Sequence, residues 1–444
     1  MKEFLKIVCY LAFPIALQNL INTAVTTADV VMLGMVGEVA LSSGSLAGQV
    51  QFVMNLMIFG MTSGASVLAA QYWGKQDIPA IEKIFSMTVG FSVAAGLIFF
   101  VAGEFFPEQL MHIFSSEEEV VAQGAVYLRI VARAYPLSAF STAYLYLMRS
   151  IERVRIGTAV FAGSLVVNVA LNSVLIFGLA GFPAMGVAGA AWATFLARCF
   201  EFVAVLIYIW KGNRQVRLRP RFLFRPDRVL LMDFLILSVP VVLNETLWGA
   251  GMSANAAILG QMGSAAAAAN SVVRVIRELI MVMSIGLSAA AGVLVGKAIG
   301  SEQMDLAKQY ARRMILLSVF VTSAASFAMF LLRHTIVGAM SLGPEACGYL
   351  DYMLLILVFY SLAQAVNTPI IVGVLRGGGD TRFGLILEAA ALWMGSILMG
   401  AVGAFVWKLP VKAVFTLLML DEFIKCPFAL WRYKSKVWLK NLTR

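Results

Sequence analysis

The sequence predicts an all-α integral membrane protein with twelve transmembrane helices in two six-helix bundles, related by a pseudo-two-fold axis along the membrane normal. The composition predicts the membrane, because 61% of the 444 residues are hydrophobic and only 13% are charged, whereas about 25% are charged in an ordinary soluble domain. An internal repeat, in which the second half of the chain resembles the first, predicts the two bundles.

The apolar runs are long enough for membrane helices, since each bilayer crossing takes roughly 20 predominantly apolar residues. Short polar or glycine-containing turns separate them and leave no room for a large soluble domain. The predicted helices span residues 5–33, 46–73, 82–103, 120–147, 155–178, 185–211, 230–259, 270–297, 307–332, 348–374, 383–405 and 410–433.

Charged residues predict the domain organisation and the orientation. Lys and Arg accumulate on cytoplasmic loops, and the longest basic stretch lies midway along the chain. We therefore expect an N-terminal bundle at 1–212, a basic cytoplasmic linker at 213–229, a C-terminal bundle at 230–433 and a basic cytoplasmic tail at 434–444. Trp431 and Trp438, beside and within that tail, are expected at the inner headgroups.

The loops alternate in charge. Lys75 and Lys83 lie on one side, whereas the loop that carries Glu104, Glu108 and Glu117 contains no base. This pattern predicts a multi-pass protein of the cytoplasmic (inner) membrane with both termini in the cytoplasm. It also accounts for the net charge of +10 without nucleic acid, leaving membrane lipids and small molecules as the expected partners of a monomeric protein.

The sequence offers no metal or cofactor signature. Its two His and four Cys show no paired spacing, so neither a metal site nor a disulfide framework is expected. We expect no cofactor and no enzymatic activity.

The repeat is visible when the sequence is shifted by 226 residues, which aligns 14–74 with 240–300 without a gap. Pro14 then matches Pro240, and Gly74 matches Gly300. Because each half holds six helices, an even number, the second half enters the membrane in the same orientation as the first. This layout suits alternating access, in which one bundle rocks against the other.

A carboxylate lies within the first predicted helix. Gln18, Asn22, Thr26 and Asp29 follow at steps of four, four and three, so they line one helix face. An ionisable group at the bilayer centre costs about 2.5–3.5 kcal/mol, which makes Asp29 a functional candidate by default. The open alternative is that Asp29 only bonds a neighbouring helix.

The fifth predicted helix supplies amides at matching depth. Asn168 and Asn172 are four residues apart, and counting from the outer helix ends at about 1.5 Å per residue places Asn172 level with Asp29. Removal from water favours the neutral form of a carboxyl, so a proton is a candidate ligand, and sodium would use the same oxygens. The candidate ion-coupling residues are Asp29, Asn168, Asn172, Asn22 and Thr26.

Other polar and aromatic residues are candidates for a substrate cleft. The second half has Asn255 where the first has Asp29, so the two halves differ chemically. Arg274 and Glu278 are four apart and form either a salt bridge or part of a substrate site, whereas Arg198 and Glu201 are interpreted as a packing pair. The cleft candidates are Gln18, Gln49, Glu245, Trp248, Asn255, Arg274, Arg277, Glu278, Gln364 and Asn367.

Three stretches together resemble the multidrug and toxic compound extrusion (MATE) family. They are 14–34 with Asp29, the Asn168 segment with the following 186–194, and 375–382 (LRGGGDTR), and the likeness covers essentially the whole chain. The resemblance implies a twelve-helix, two-lobe fold and export of organic, often cationic compounds against proton or sodium entry. It also implies that Asp29 is the ion-coupling residue, with Asn168 beside it.

Two departures from the family bear on the coupling ion. Asn172 stands where many relatives have a second aspartate, and the tenth helix lacks the acid of sodium-type members, so the proton is favoured over sodium. The alternative function is a lipid-linked precursor flippase of related architecture, which would need a cationic cleft built on Arg274 and Arg277.

Overall fold

The structure is a computed structural model that describes residues 2–179, 181–213, 215–219, 221–224, 227–340 and 342–443. Over these residues the chain is helical and contains no strand. Within them, ten helices are long and apolar enough to cross a membrane: Lys6–Val36, Glu38–Lys75, Ile78–Phe105, Val154–Phe177, Gly186–Gly212, Arg228–Gln261, Ser264–Gly300, Met304–Ala339, Pro344–Leu375 and Thr381–Val406.

The helices are numbered in chain order. They are α1 Lys2–Val36, α2 Glu38–Lys75, α3 Ile78–Phe105, α4 Pro107–His112, α5 Glu118–Ala132, α6 Tyr135–Ser150, α7 Val154–Phe177, α8 Gly186–Ile207, α9 Arg221–Phe224, α10 Arg228–Gln261, α11 Ser264–Gly300, α12 Met304–Ala339, α13 Pro344–Thr368, α14 Thr381–Ala389, α15 Leu398–Ala401, α16 Val411–Leu418 and α17 Asp421–Lys434. Wider π-helical turns extend α8 and α13 and flank α15, at Tyr208–Gly212, Pro369–Leu375, Ala390–Ile397 and Val402–Val406.

Two of the predicted helices are each broken into two. The fourth, predicted at 120–147, consists of α5 and α6, and Pro136 lies in the first turn of α6. Proline has no N–H to donate, and the first turn of a helix accommodates it without the loss of a backbone hydrogen bond, so the break places Pro136 where its cost is lowest. The twelfth, predicted at 410–433, consists of α16 and α17. At that break the Ser396 hydroxyl donates to the Leu417 and Leu418 carbonyls, which satisfies acceptors at the end of α16.

The second and eighth helices begin earlier than predicted. α2 begins at Glu38 instead of 46, and α11 begins at Ser264 instead of 270. A single residue with positive φ precedes each of them, Gly37 at 151° and Gly263 at 132°. Glycine adopts such values without steric cost. One residue therefore connects α1 to α2 and two residues connect α10 to α11, in place of the predicted outer loops.

The repeat extends to backbone conformation. Gly37 and Gly263 are 226 positions apart, as are Gln76 and Glu302, which have φ of 62° and 61° in the turns after α2 and α11. α1 and α10 each contain an internal proline, Pro14 or Pro240. Because left-handed backbone is uncommon for residues other than glycine, its recurrence at matching positions shows that the two halves use the same turns.

The chain divides into two compact units. Unit N comprises Leu17–Ala69 and Gln76–Ser238, and unit C comprises Met1–Ala16, Ala70–Lys75 and Val239–Arg444. The first turns of α1 and the last turns of α2 therefore belong to unit C. The domain bounds expected from the sequence, 1–212 and 230–433, stay a prediction.

Within unit C, α2 and α11 meet at the repeat-matched glycines. A Cβ at Gly300 would overlap the Gln71 carbonyl, and a Cβ at Gly74 would overlap the Lys297 carbonyl. Glycine at both positions lets the two backbones approach closely, as small residues do in membrane helix packing.

We expect Gly300→Ala to lower stability by about 1–3 kcal/mol, because the added methyl group forces two helix backbones apart. The apparent melting temperature of the detergent-solubilised protein measures the loss. Gly338→Ala in α12 is the matched control, since a Cβ there meets no atom within 4 Å. Equal melting temperatures for the two variants would contradict the close approach.

The described residues of the predicted linker pack against α3. The Arg219 guanidinium lies 2.6 Å from a Glu82 carboxylate oxygen, and Lys83 Nζ lies 3.0 Å from Asp227 Oδ2. The hydrogen bond from Lys83 lowers the pKa of Asp227 below its usual value. These contacts attach the predicted linker to unit N.

The C-terminal tail is docked in unit C. Trp438 is 1% exposed, so it packs inside the protein instead of lying at the headgroups as expected, whereas Trp431 is 60% exposed. The Gln71 side chain accepts from the Leu442 backbone N–H at 2.8 Å and donates to the Lys440 carbonyl at 3.1 Å. The tail therefore binds the last turns of α2.

Asp380 is a second point of contact for the C-terminal region. It accepts hydrogen bonds from Arg432 at 2.6 Å and from Lys440 at 3.1 Å. Burial alone raises the pKa of Asp380, but the hydrogen bonds from these two cations outweigh it and hold the pKa below its usual value. The carboxylate is consequently a charged anchor for the tail.

Candidate functional site

The structure brings Asp29 together with the two predicted amides. Asn172 Nδ2 lies 2.5 Å from Asp29 Oδ1 and 3.2 Å from Asn168 Oδ1. Asn168 and Asn172 are 1% and 0% exposed, and Asp29 is half-buried. All three lie in unit N, on α1 and α7. The depth matching that predicted a shared pocket thus agrees with the geometry, while the role of these residues in ion coupling stays a prediction.

A buried ion pair on α8 lies beside this group. Arg198 Nη1 is 2.5 Å from Glu201 Oε1, with side chains 17% and 1% exposed. Arg198 and Asp29 are close enough for direct charge attraction, and Tyr127 on α5 is within electrostatic reach of both. The sequence interpretation of Arg198 and Glu201 as packing residues missed this proximity. Two charges within one predicted membrane helix were the available signal, since buried ionisable groups in membranes are usually functional.

Several polar atoms around Asp29 are buried without a hydrogen-bond partner among the described residues. They are Asn172 Oδ1, Arg198 Nε and Glu201 Oε2. Buried polar atoms in proteins are normally paired, so a concentration of unpaired ones marks a place where water or an ion binds. Thr194, which is buried and hydrogen-bonded to Tyr127, is a further residue of this site that sequence reasoning did not single out.

The charges of the site are nearly balanced. Glu201 neutralises Arg198, so an ionised Asp29 leaves one net negative charge in a protein interior. An uncompensated buried charge is unfavourable, and the group tends to become neutral instead. A single proton on Asp29, or a single bound monovalent cation, restores neutrality.

The other two ion-coupling candidates are placed differently. The Thr26 hydroxyl is exposed and donates to the Asn22 carbonyl of its own helix at 3.2 Å. Asn22 is half-buried. Their part in ion coupling stays a prediction.

Gln18 was predicted as a cleft residue, but it is 0% exposed. Its Nε2 donates to the Val154 carbonyl at 2.8 Å and to Thr158 Oγ1 at 2.9 Å, and its Oε1 accepts from Arg149 Nε at 2.9 Å. The amide therefore connects α1 to α6 and α7 inside unit N. Hydrogen-bonding capacity, which suggested a substrate contact in the sequence, is used here for packing.

We expect Gln18→Leu to lower stability by about 1–3 kcal/mol, because the buried Arg149 N–H and the Val154 carbonyl lose their partner. The melting temperature of the purified protein measures this effect. Gln49→Leu is the control, since Gln49 is exposed. If Gln18→Leu changed substrate selection while the melting temperature stayed at the wild-type value, the predicted cleft role would be right.

The remaining cleft candidates fall into two groups by burial. Gln49, Arg274 and Glu278 are exposed, whereas Trp248 and Arg277 are half-buried. Trp248 packs against the apolar core of unit C. The Arg277 guanidinium carbon lies 5.9 Å from the centre of the Tyr360 ring, within cation–π range.

Glu245 pairs with an arginine from the turn region after α13. Its Oε1 lies 2.6 Å from Arg376 Nη2, and both side chains are largely buried. Arg376 and Arg149 are matched by the repeat at an offset of 227. Arg376 contacts Glu245 and Arg149 contacts Gln18, in the same region of the first helix of each half.

The last three candidates, Asn255, Gln364 and Asn367, lie in unit C. Asn255 is 6% exposed, and the side-chain oxygens of all three are buried without a hydrogen-bond partner among the described residues. Asn367 Nδ2 donates to the Glu422 side chain and carbonyl, both at 2.7 Å. Asn367 thus belongs to a buried charged group on α17.

The MatE family profile matches two segments of the chain, residues 14–174 and 240–402. The two segments begin 226 residues apart, at the repeat-matched prolines, so the family match and the repeat divide the chain in the same way. Together the segments cover well over half of the sequence.

Two bacterial proteins illustrate the likeness in sequence. The chain is 24% identical over 404 residues to a probable multidrug resistance protein YoeA of Bacillus subtilis, covering 90% of this chain and 87% of the relative. It is 26% identical over 430 residues to a probable multidrug resistance protein NorM of Bradyrhizobium diazoefficiens, covering 96% and 92%.

A solved structure shows the fold. A MATE protein crystallised in the bent conformation superimposes with a TM-score of 0.88 at 17% identity, over 98% of this chain and 95% of that one. The fold class predicted from the sequence is thereby confirmed. The chain is a multi-pass membrane protein and belongs to the MatE family, whose members are multidrug transporters and not enzymes.

Proposed function

We propose that the protein is a secondary active antiporter that exports amphipathic organic, often cationic compounds by alternating access, in exchange for protons. The observation that carries the proposal is the contact of Asp29 with the buried Asn172, in a site that one monovalent cation makes neutral. The relatives named as multidrug resistance proteins support small organic molecules as substrates. We further propose an inner-membrane location with both termini in the cytoplasm, on the basis of the loop charges.

The proton is proposed over sodium because of Arg198. A sodium site needs several oxygen ligands and an excess of negative charge, and a buried guanidinium close to Asp29 opposes a metal cation there. A proton binds a single carboxylate oxygen and needs no coordination shell. The amide of Asn172, in place of a second acid, also lowers the negative charge that sodium would require.

Dye efflux from vesicles tests the proposal. We expect an imposed proton gradient to drive export of a fluorescent organic cation in vesicles that contain the protein, and a sodium gradient of equal size at constant pH to drive none. Export by the sodium gradient alone would overturn proton coupling. Absence of export under either gradient would overturn the antiporter proposal.

The partner of Arg198 should set the pH range of export. In Glu201→Gln the guanidinium loses its counter-ion and stabilises ionised Asp29 instead, so a higher proton concentration is needed. We expect the pH profile of proton-driven efflux to move to more acidic pH by about one unit. Glu38→Gln is the control, since Glu38 is exposed on α2. A profile that stays in place or moves to alkaline pH would count against this role of Glu201.

A further inference from the structure

Unit C contains a second buried charged group, far along the chain from Asp29. Lys425 Nζ on α17 is surrounded by acidic oxygens: Glu422 Oε1 at 2.7 Å, Asp421 Oδ2 at 3.0 Å and Glu388 Oε1 at 3.2 Å. The lysine side chain is 3% exposed, and the three acidic side chains are 6%, 6% and 12% exposed in the same order. We refer to these four residues as the Lys425 cluster.

The Lys425 cluster contains more acids than bases. With all three carboxyl groups ionised and Lys425 protonated, the cluster carries a net charge of −2. Burial makes such an excess unfavourable, and carboxylates that share one site cannot all ionise at ordinary cost. The cluster is therefore short of positive charge.

The neighbouring charged and titratable groups do not remove the imbalance. Tyr360 on α13 and Cys426 on α17 are within electrostatic reach of members of the cluster, and the Arg277 guanidinium on α11 lies beside the Tyr360 ring. Of these, only Arg277 is cationic, and counting it still leaves a net charge of −1. One more positive charge makes the whole group neutral.

Polar atoms of α13 point to a bound ligand independently of the charges. Asn367 is 1% exposed and donates from Nδ2 to Glu422 Oε2, while its own Oδ1 is buried without a partner among the described residues. Gln364 and Ser361 lie three and six residues before Asn367 on the same helix. Gln364 Oε1 and Ser361 Oγ are also buried without a hydrogen-bond partner among the described residues. An unpaired acceptor beside a carboxylate is satisfied when a hydrogen-bond donor arrives there, and a protonated carboxyl is such a donor.

From this arrangement we propose that the Lys425 cluster is a second proton-binding site, which holds one exchangeable proton among Glu388, Asp421 and Glu422 with Asn367 as its hydrogen-bond partner. A metal cation does not fit, because Lys425 Nζ already occupies the point where the three carboxylates converge. A proton needs only one oxygen. The inference goes beyond the proposed function, since it depends neither on Asp29 nor on transport.

Infrared spectroscopy of the purified full-length protein tests the site, with the carbonyl band of protonated carboxyl groups as the signal. The Asp29→Asn background removes the carboxyl of the first site. We expect this variant to keep a carboxyl band that titrates between about pH 5 and pH 9. Adding Glu388→Gln and Glu422→Gln leaves one carboxylate for Lys425 and should abolish that band. Adding Glu38→Gln and Glu278→Gln instead, two exposed glutamates, should leave it unchanged.

Two results would overturn the site. One is the absence of a titrating band in Asp29→Asn, or a band that survives both cluster substitutions. The other is a band that sodium chloride changes and potassium chloride does not, which would assign the site to a metal cation. If the variant with both substitutions does not fold, Glu388→Gln alone, at the least buried of the three acids, must shift the titration midpoint by at least about half a unit. Since no transport is measured, failure here is distinct from failure of the antiporter proposal.

Discussion

Replacing Asp29 by asparagine is expected to abolish proton-driven efflux, with a loss of at least about tenfold, the change that about 1.4 kcal/mol in a barrier produces. Asparagine keeps the size of the side chain but has no carboxylate to take up a proton. Residue 29 then keeps one charge state, so an imposed proton gradient no longer changes the charge at this position. Dye efflux from vesicles with a fixed proton gradient measures the loss.

The geometry around Asp29 makes this substitution specific. Asn172 Nδ2 donates to Asp29 Oδ1, and the asparagine side chain retains an oxygen that accepts the same bond, so packing of α1 against α7 should persist. We therefore expect the melting temperature and the equilibrium binding of the dye to stay close to wild type. Asp29→Glu, which retains the carboxylate, should keep part of the efflux.

Glu38→Gln serves as the matched control, because it removes an exposed carboxylate at the start of α2, the helix that follows α1. Equal proton-driven efflux in wild type and Asp29→Asn would remove the coupling role of Asp29. The buried contact with Asn172 would then be a helix-packing bond, the alternative that the sequence left open.

The sequence was sufficient to predict that Asp29 and Asn172 lie close together, because residue spacing in a helix fixes both the depth and the face of a side chain. Asn168 and Asn172 are one turn apart on one face, and Asp29 and Asn172 were each counted from a helix end that glycine marks. The structure places Asp29 and Asn172 in contact. The ten continuous helices were predictable for a similar reason, since apolar length alone identifies a span.

The rest depends on contacts between distant parts of the chain, which periodicity does not reveal. Lys425 and Glu388 are 37 residues apart, and Gln18 and Arg149 are 131 apart. The sequence shows that such residues are costly in a membrane, but not which of them pair. Gln18 was consequently taken for a cleft residue.

The two units thus differ in the number and pairing of the buried charged residues described above, even though the two halves of the chain form a repeat. Unit N pairs Arg198 with Glu201 and leaves Asp29 as a single surplus acid. Unit C collects Glu388, Asp421 and Glu422 around one lysine. The aspartate of the first half has its counterpart in Asn255, and the acids of the Lys425 cluster come from later helices instead.

The largest expected loss of stability follows from Lys425→Met, at about 3–5 kcal/mol, because removing one partner of a buried ion pair leaves the others uncompensated. Methionine has a similar length and fills the space of the lysine stem, so packing alone should change little. The melting temperature of the purified protein measures the loss. Lys434→Met on the same helix is the control, since Lys434 is exposed.

The loss should also depend on pH in a definite direction. Without the ammonium, burial of the Glu422 carboxyl favours its neutral form, so the folded protein binds more protons than the unfolded chain. Stability then falls as pH rises, and acidification from about pH 8 to pH 5 should recover part of the melting temperature of Lys425→Met. Adding Glu422→Gln should recover part of it at any pH in this range, because one fewer carboxylate needs compensation. A loss that is the same at every pH, and that Glu422→Gln deepens, would mean that the lysine stabilises the protein through packing and not through charge.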